Sequence, residues 1–77
     1  MTGPYDTERQ AHADVAAVGH GKSALRRHLV AACTESGVPL GDFDLQIIDW
    51  LADWEPETVQ VIAGLIRRAH QAGKDSA

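Results

Sequence analysis

The sequence predicts an all-α fold, organised as a small bundle of three to four helices in a single domain. Apolar residues recur at helical spacing along the chain, and no stretch alternates apolar and polar residues as a half-buried strand would. The chain has 77 residues, enough for one domain, and 44% of them are hydrophobic, as in ordinary globular proteins. We expect a flexible tail at residues 1–6, a weaker helix at 8–18, and main helices at 22–35, 42–54 and 56–71.

The clearest local signal is the corner between the last two predicted helices. Pro56 has a fixed φ and no N–H group, so it suits the first turn of a helix. The residue before a proline is disfavoured in the α region, so Glu55 should be the N-cap of the last helix. Gly73 should end that helix, and Asp42 should be the N-cap of the preceding one.

The first two predicted helices have weaker signals. Thr7 and Gln10 have the spacing of a capping box, but the apolar side of the helix that follows is mostly alanine. The Gly19–Gly21 segment interrupts the pattern before the second helix, whose apolar stripe has ordinary width. We therefore expect the first helix to be loosely docked.

The last two predicted helices are unusually rich in apolar residues. Apolar positions cover about 200° of the last helix, whereas one packing neighbour needs an arc of about 100°. This helix is therefore either central in the bundle or covered partly by another molecule. The helix before it carries one stripe of large side chains: Phe43, Ile47, Trp50, Leu51 and Trp54.

Trp50 and Trp54 lie one helical turn apart. The first interpretation is that they belong to the core, or cover its edge at the corner, because aromatic residues dominate small cores. The alternative interpretation is that they anchor a partner, because tryptophan is enriched at interaction hot spots.

Two wide apolar faces on so short a chain favour a non-enzymatic protein–protein interaction module, which binds itself or another protein. The candidate partner-binding residues are Trp50, Trp54, Val61 and Leu65.

The charge pattern weighs on the choice of partner. A formal net charge of −4 argues against nucleic acid or an anionic membrane as the main partner. Positive charge is concentrated on the second helix and carboxylates on the third, which favours mutual attraction when the two pack together.

The alternative function is a small helical DNA-binding regulator, because two helices joined by a tight corner can form a helix-turn-helix. Glu55 and Glu57 argue against it, since they would lie at the helix end that approaches phosphates. Its candidate nucleic-acid-binding residues are Lys22, Arg26, Arg27, Arg67 and Arg68.

One segment, Ala16–Ser23, resembles a relaxed phosphate-binding loop that ends in Gly-Lys-Ser. Such a loop needs a buried strand before it and a later strand that ends in a metal-binding aspartate, and the sequence predicts neither. We therefore expect no nucleotide cofactor, although incidental anion binding at this helix start stays open.

No group of residues has the spacing of a catalytic or metal site, so we expect no catalytic residues, no metal and no cofactor. The histidines considered as metal ligands are His12, His20, His28 and His70.

One cysteine, Cys33, cannot form an internal disulfide, and the N-terminus lacks the features of a signal peptide. No run approaches the roughly 20 apolar residues of a membrane span. These features predict a cytoplasmic protein.

The run from Asp44 to Val59, with the apolar stretch from Val61 to Ile66, resembles small helical proteins of high-GC Gram-positive bacteria and their phages. The similarity extends back over the region from Val18 to Cys33. The resemblance implies a compact cytoplasmic protein of bacterial or mobile-element origin, and it assigns no activity to any residue.

Overall fold

The computed structural model describes residues 2–76, which form four α-helices and no strand. The all-α fold predicted from the sequence is confirmed. The helices are α1 (Glu8–Val18), α2 (Lys22–Glu35), α3 (Asp42–Leu51) and α4 (Pro56–Ser76).

Helices α2 and α4 share the largest contact and together form the centre of the bundle. Helix α3 packs on α2, and α1 packs mainly on α4, so Leu25 and Leu29 of α2 face the interior. Leu25 and Leu29 of α2 are each only 2% exposed, so its apolar stripe is fully used in the core. The core cluster that α2, α3 and α4 share consists of the buried residues Leu25, Leu29, Ala32, Ile48, Ala52, Val59 and Ala63.

The capping box of α1 forms as the sequence predicts. The Thr7 hydroxyl accepts a hydrogen bond from the backbone N–H of Gln10 at 3.3 Å, and the Gln10 side chain accepts one from the backbone N–H of Thr7 at 3.1 Å. Two N–H groups that a helix start leaves without partners are thereby satisfied. Ala11 and Val15 are the buried residues of this helix.

The N-terminal segment, for which the sequence predicts a flexible tail, lies against α4. The Tyr5 hydroxyl donates to Asp14 at 2.6 Å and accepts from the Gln60 side-chain amide at 2.7 Å. The backbone of Thr2 lies so close to Gly64 that a Cβ there would be 2.5 Å from the Thr2 carbonyl oxygen. A glycine in α4 and a tyrosine hydroxyl therefore dock this segment.

Helix α3 differs from the prediction at both ends. Its N-cap is Gly41 rather than Asp42, and the Asp44 carboxylate accepts the Gly41 N–H at 2.9 Å. The helix ends at Leu51 rather than at residue 54. The last predicted turn tightens, because the N–H of Trp54 bonds to the carbonyl of Leu51, three residues back, at 3.0 Å.

Helix α4 begins at Pro56 as predicted but continues through Gly73 to Ser76. One glycine costs a helix only about 1 kcal/mol, which is not enough to end it where neighbouring residues favour helix. The Gln71 side chain donates to Asp75 at 3.0 Å, one turn apart across Gly73.

Candidate partner-binding face

The main candidate site is a row of large apolar side chains on the outside of α3. Phe43 is 71% exposed, Ile47 41%, Trp50 55% and Trp54 54%. The spacing of four and three residues places Phe43, Ile47 and Trp50 in one line along α3, and Trp54 follows in the turn after the helix, in contact with Trp50. We call this row, Phe43, Ile47, Trp50 and Trp54, the outer ridge.

The outer ridge is exposed because α3 packs through its other side. Ile48 and Ala52 are buried in the core, and Leu51 packs against it. The small Ala52 allows α3 to lie close to α2, while the larger side chains point away. Neither tryptophan is buried in the core, so that part of the first interpretation is wrong. A role in covering the edge of the core at the corner and the alternative role as partner anchors both stay predictions.

Two ion pairs orient α3 on α2. Arg26 Nε lies 3.0 Å from the Asp49 carboxylate, and Lys22 Nζ lies 3.1 Å from the Asp53 carboxylate. Asp49 and Asp53 are one turn apart, so both hold the same side of α3 toward the basic residues. The attraction between the second and third helices, expected from the charge pattern, is present in these contacts.

The two tryptophans support each other. Their ring centroids are 5.3 Å apart and the ring planes meet at 72°, an edge-to-face arrangement that aromatic pairs favour. Since Trp54 belongs to the tight turn after α3, this contact extends the ridge to the corner before Pro56. The pair presents rigid apolar area with few rotatable bonds to lose on binding.

Val61 and Leu65, the other two candidate partner-binding residues, lie on α4 in different surroundings. Val61 lines a groove of about 430 Å³ between the start of α1 and the first turns of α4. Leu65 is 53% exposed. The structure thus joins Trp50 to Trp54 on α3, whereas Val61 and Leu65 belong to a helix with other neighbours.

The five candidate nucleic-acid-binding residues mostly have protein partners. Besides the ion pairs of Lys22 and Arg26, both terminal nitrogens of Arg67 donate to the Glu35 carboxylate, at 3.3 and 3.4 Å. Arg68 Nε donates to the backbone carbonyl of Gly64 at 3.2 Å. Arg27 is exposed. Carboxylates beside three of these cations reduce the positive potential that a phosphate backbone would meet, so DNA binding stays a prediction without added support.

The glycine-containing loop before α2 has helices on both sides. Val18 ends α1, Gly19 has a φ of +107°, and Gly21 is the N-cap of α2. The buried strand that a phosphate-binding loop requires is replaced here by a helix. Lys22, which would have to reach a phosphate, is bound to Asp53.

Three carboxylates meet near the groove that Val61 lines. Oxygen atoms of Glu8, Glu55 and Glu57 all lie within 4.8 Å of one another, although the residues come from α1, the corner and α4. Sequence spacing could not reveal this cluster, because Glu8 is distant in the chain. Exposed acidic groups commonly gather without a metal, and this cluster is mostly exposed.

Three titratable groups outside these clusters or at their edge have a hydrogen-bond partner or are partly buried. His12 Nδ1 is hydrogen-bonded to Glu57, and this bond lowers the pKa of that carboxyl. Burial lowers the pKa of His28, and the nearby Arg67 lowers it further. Burial also raises the pKa of the Cys33 thiol, which keeps it protonated and weakly nucleophilic.

Comparisons with known proteins add no relatives. The chain matches no protein family model, no curated protein and no solved structure. Within residues 2–76, no helix is both long and apolar enough to cross a membrane.

Proposed function

We propose that this protein is a non-enzymatic protein–protein interaction module, and that it binds its partner through the outer ridge of α3. The observation that carries the proposal is the exposure of a row of four large apolar side chains, three on α3 and the fourth in the turn that follows it. Scattered surface apolar residues need no explanation, but a contiguous row that includes two tryptophans is typical of a binding surface.

The cost of keeping this row in water supports the proposal. Burying a large apolar side chain is worth about 1.5–3 kcal/mol, and a chain this short has few such side chains to leave outside its core. Here the core is built from smaller residues, such as Ala32, Ala52 and Ala63, while both tryptophans remain half exposed. A bound partner would recover the free energy that folding leaves unused.

The binding surface could serve another protein or a second copy of this chain. Sedimentation equilibrium separates these cases, because a mass that rises with concentration in the wild type, and not in a Trp50→Ala/Trp54→Ala variant, identifies self-association through the ridge. Bacterial or mobile-element origin, implied by the resemblance, stays a prediction.

Affinity capture from lysate of the cells that carry the gene tests the proposal. Three baits are compared: the wild type, the Trp50→Ala/Trp54→Ala variant, and a Leu65→Ala control whose side chain is as exposed as Trp54. We expect a protein retained by the wild type and the control but lost from the tryptophan variant, and binding of the purified pair with a Kd of about 1 µM or tighter.

The result that contradicts the proposal is equally definite. If every protein retained by the wild type is retained equally by the tryptophan variant, and the wild type stays monomeric, the outer ridge is not a binding surface.

A further inference from the structure

We propose that the outer ridge is the inserted element of a helix-in-groove contact, and that its partner is a protein with an apolar groove bordered by lysine and arginine side chains. This inference rests on the proposed function and names the chemistry of the partner.

The shape of the ridge is the first step. The anchors at 43, 47 and 50 have the spacing with which an amphipathic helix fills a groove, and Trp54 extends the row into the turn after α3. Helix α3 packs mainly on α2, through the side that carries Ile48 and Ala52. The exposed side is therefore convex, and it fits a concave surface better than a flat one.

The charge of the ridge surroundings is the second step. Residues 42–55 contain five carboxylates and no lysine or arginine. Asp49 and Asp53 are paired with α2. Asp42 and Asp44 are exposed on either side of Phe43 in the sequence, at the start of the ridge. Basic side chains at the border of the groove would complement these carboxylates and exclude wrong partners.

The same charges disfavour a second copy of this chain. A symmetric contact through the ridge would place the acidic segments 42–55 of two copies against each other, and neither segment contains a lysine or arginine that could pair with the other's carboxylates. The groove on this chain is no better, because Asp6, Glu8 and Glu57 are among the residues that line it. An anionic membrane surface would repel the ridge for the same reason.

The exposed area also favours a groove over a flat contact. Three aromatic side chains, each more than half exposed, and one isoleucine present roughly 400 Å², about half of the roughly 800 Å² that each side of a standard interface buries. A groove covers the flanks of the helix as well as its ridge, so it recovers additional area that a flat second copy would leave in water.

The test uses two displayed libraries of small helical scaffolds that share one randomised apolar groove. In one library the positions bordering the groove are lysine or arginine, and in the other they are aspartate or glutamate. The wild-type chain is the target, and the Trp50→Ala/Trp54→Ala variant, which has the same charge, is the counter-target. We expect at least tenfold greater enrichment of ridge-dependent binders from the basic library.

Variants of the chain then measure each component with the best binder. Trp50→Ala/Trp54→Ala should weaken binding at least tenfold, whereas Leu65→Ala should leave it unchanged. Asp42→Asn should weaken it about twofold to fivefold, because one exposed charge pair is lost. Raising the salt from about 0.05 M to about 0.5 M should erase that difference through screening.

The possible failures are distinguishable. Ridge-dependent binders that come equally from both libraries would contradict the inference that basic residues border the partner's groove. They would still be consistent with the proposed protein–protein interaction function. A concentration-dependent dimer that forms through the ridge would replace the groove-bearing partner by a second copy. Binders from either library that tolerate Trp50→Ala/Trp54→Ala, with no ridge-dependent binder among them, would overturn both this inference and the proposed function.

Discussion

Helices α3 and α4 are both rich in apolar residues, yet the bundle uses them in opposite ways. Helix α4 has a neighbour on each side: α2 covers the face with Val59 and Ala63, and α1 with the N-terminal segment covers the face with Gln60 and Gly64. Helix α3 buries its smaller apolar residues against α2 and turns the outer ridge to solvent.

The difference shows that a wide apolar arc is not itself a binding surface. The roughly 200° apolar arc of α4 is explained by its central position with two neighbouring helices. Leu65 is the large apolar residue of this arc that stays exposed. The arc of α3 is covered on one side alone, and its uncovered side holds the largest side chains. The number of packing neighbours therefore separates a central helix from a docking helix.

The largest expected effect is on stability, and it contrasts the covered and uncovered faces. Leu29→Ala should lower the free energy of unfolding by about 3 kcal/mol, because Leu29 is buried in the core that α2, α3 and α4 share. Phe43→Ala removes a larger side chain but should cost less than about 1 kcal/mol, since Phe43 is mostly exposed. Urea denaturation followed by far-UV circular dichroism measures both. Similar losses in the two variants would show that the ridge is part of the core.

The second effect, also on stability, tests whether the N-terminal segment packs on α4. Gly73→Ala should raise the free energy of unfolding by about 0.5–1 kcal/mol, because alanine favours helix and no atom lies within 4 Å of the added Cβ. Gly64→Ala should lack this gain, because its Cβ would collide with the backbone of Thr2 and displace the N-terminal segment. Urea denaturation and the NMR shifts of the Tyr5 ring report the two consequences. Equal stabilisation by both substitutions, with unchanged Tyr5 shifts, would mean that the segment does not cover α4.

A smaller effect concerns the attachment of α3 to α2. A double-mutant cycle with Arg26→Ala and Asp49→Ala should give a coupling free energy below about 1 kcal/mol, because the pair is largely exposed. The coupling should weaken further at high salt. Its orienting effect should be visible in the tryptophan fluorescence, which would change if α3 rotated. A coupling well above this value, unaffected by salt, would show that the pair is buried.

The smallest expected effect is a pH dependence that belongs to the contact between α2 and α4. Burial and the nearby Arg67 hold the pKa of His28 below its usual value of about 6.5. As the pH falls through that value, the unfolded chain binds the proton first, so the free energy of unfolding decreases. His28→Asn should flatten this slope between about pH 7 and pH 5 in urea titrations. An unchanged slope would assign the pH dependence to other groups.

Much of the fold could be predicted from the sequence. The bounds of α1 and α2, the capping box at Thr7 and the start of α4 at Pro56 follow from local signals that the structure satisfies. These features depend on a few neighbouring residues, so tertiary context has little to change.

The side on which α3 packs could not be predicted from periodicity. Its apolar residues form one broad arc, and a helical pattern alone does not say which edge of the arc is buried. The size of the tryptophans favoured burial, whereas the small Ala52 and the ion pairs of Asp49 and Asp53 decide the orientation in the fold. The docking of Tyr5 could not be predicted from the sequence either, because its partners Asp14 and Gln60 are distant from it in the chain.

The most direct test of the account is the solvent accessibility of Trp50 and Trp54 in the monomer. The sequence contains no other tryptophan, so the fluorescence reports on the outer ridge alone. At a concentration where sedimentation shows a monomer, we predict red-shifted emission and efficient acrylamide quenching, somewhat below the values for the chain unfolded in urea because each tryptophan is about half exposed. A blue-shifted emission with strong protection from acrylamide in that monomer would contradict the exposed ridge and the function proposed from it.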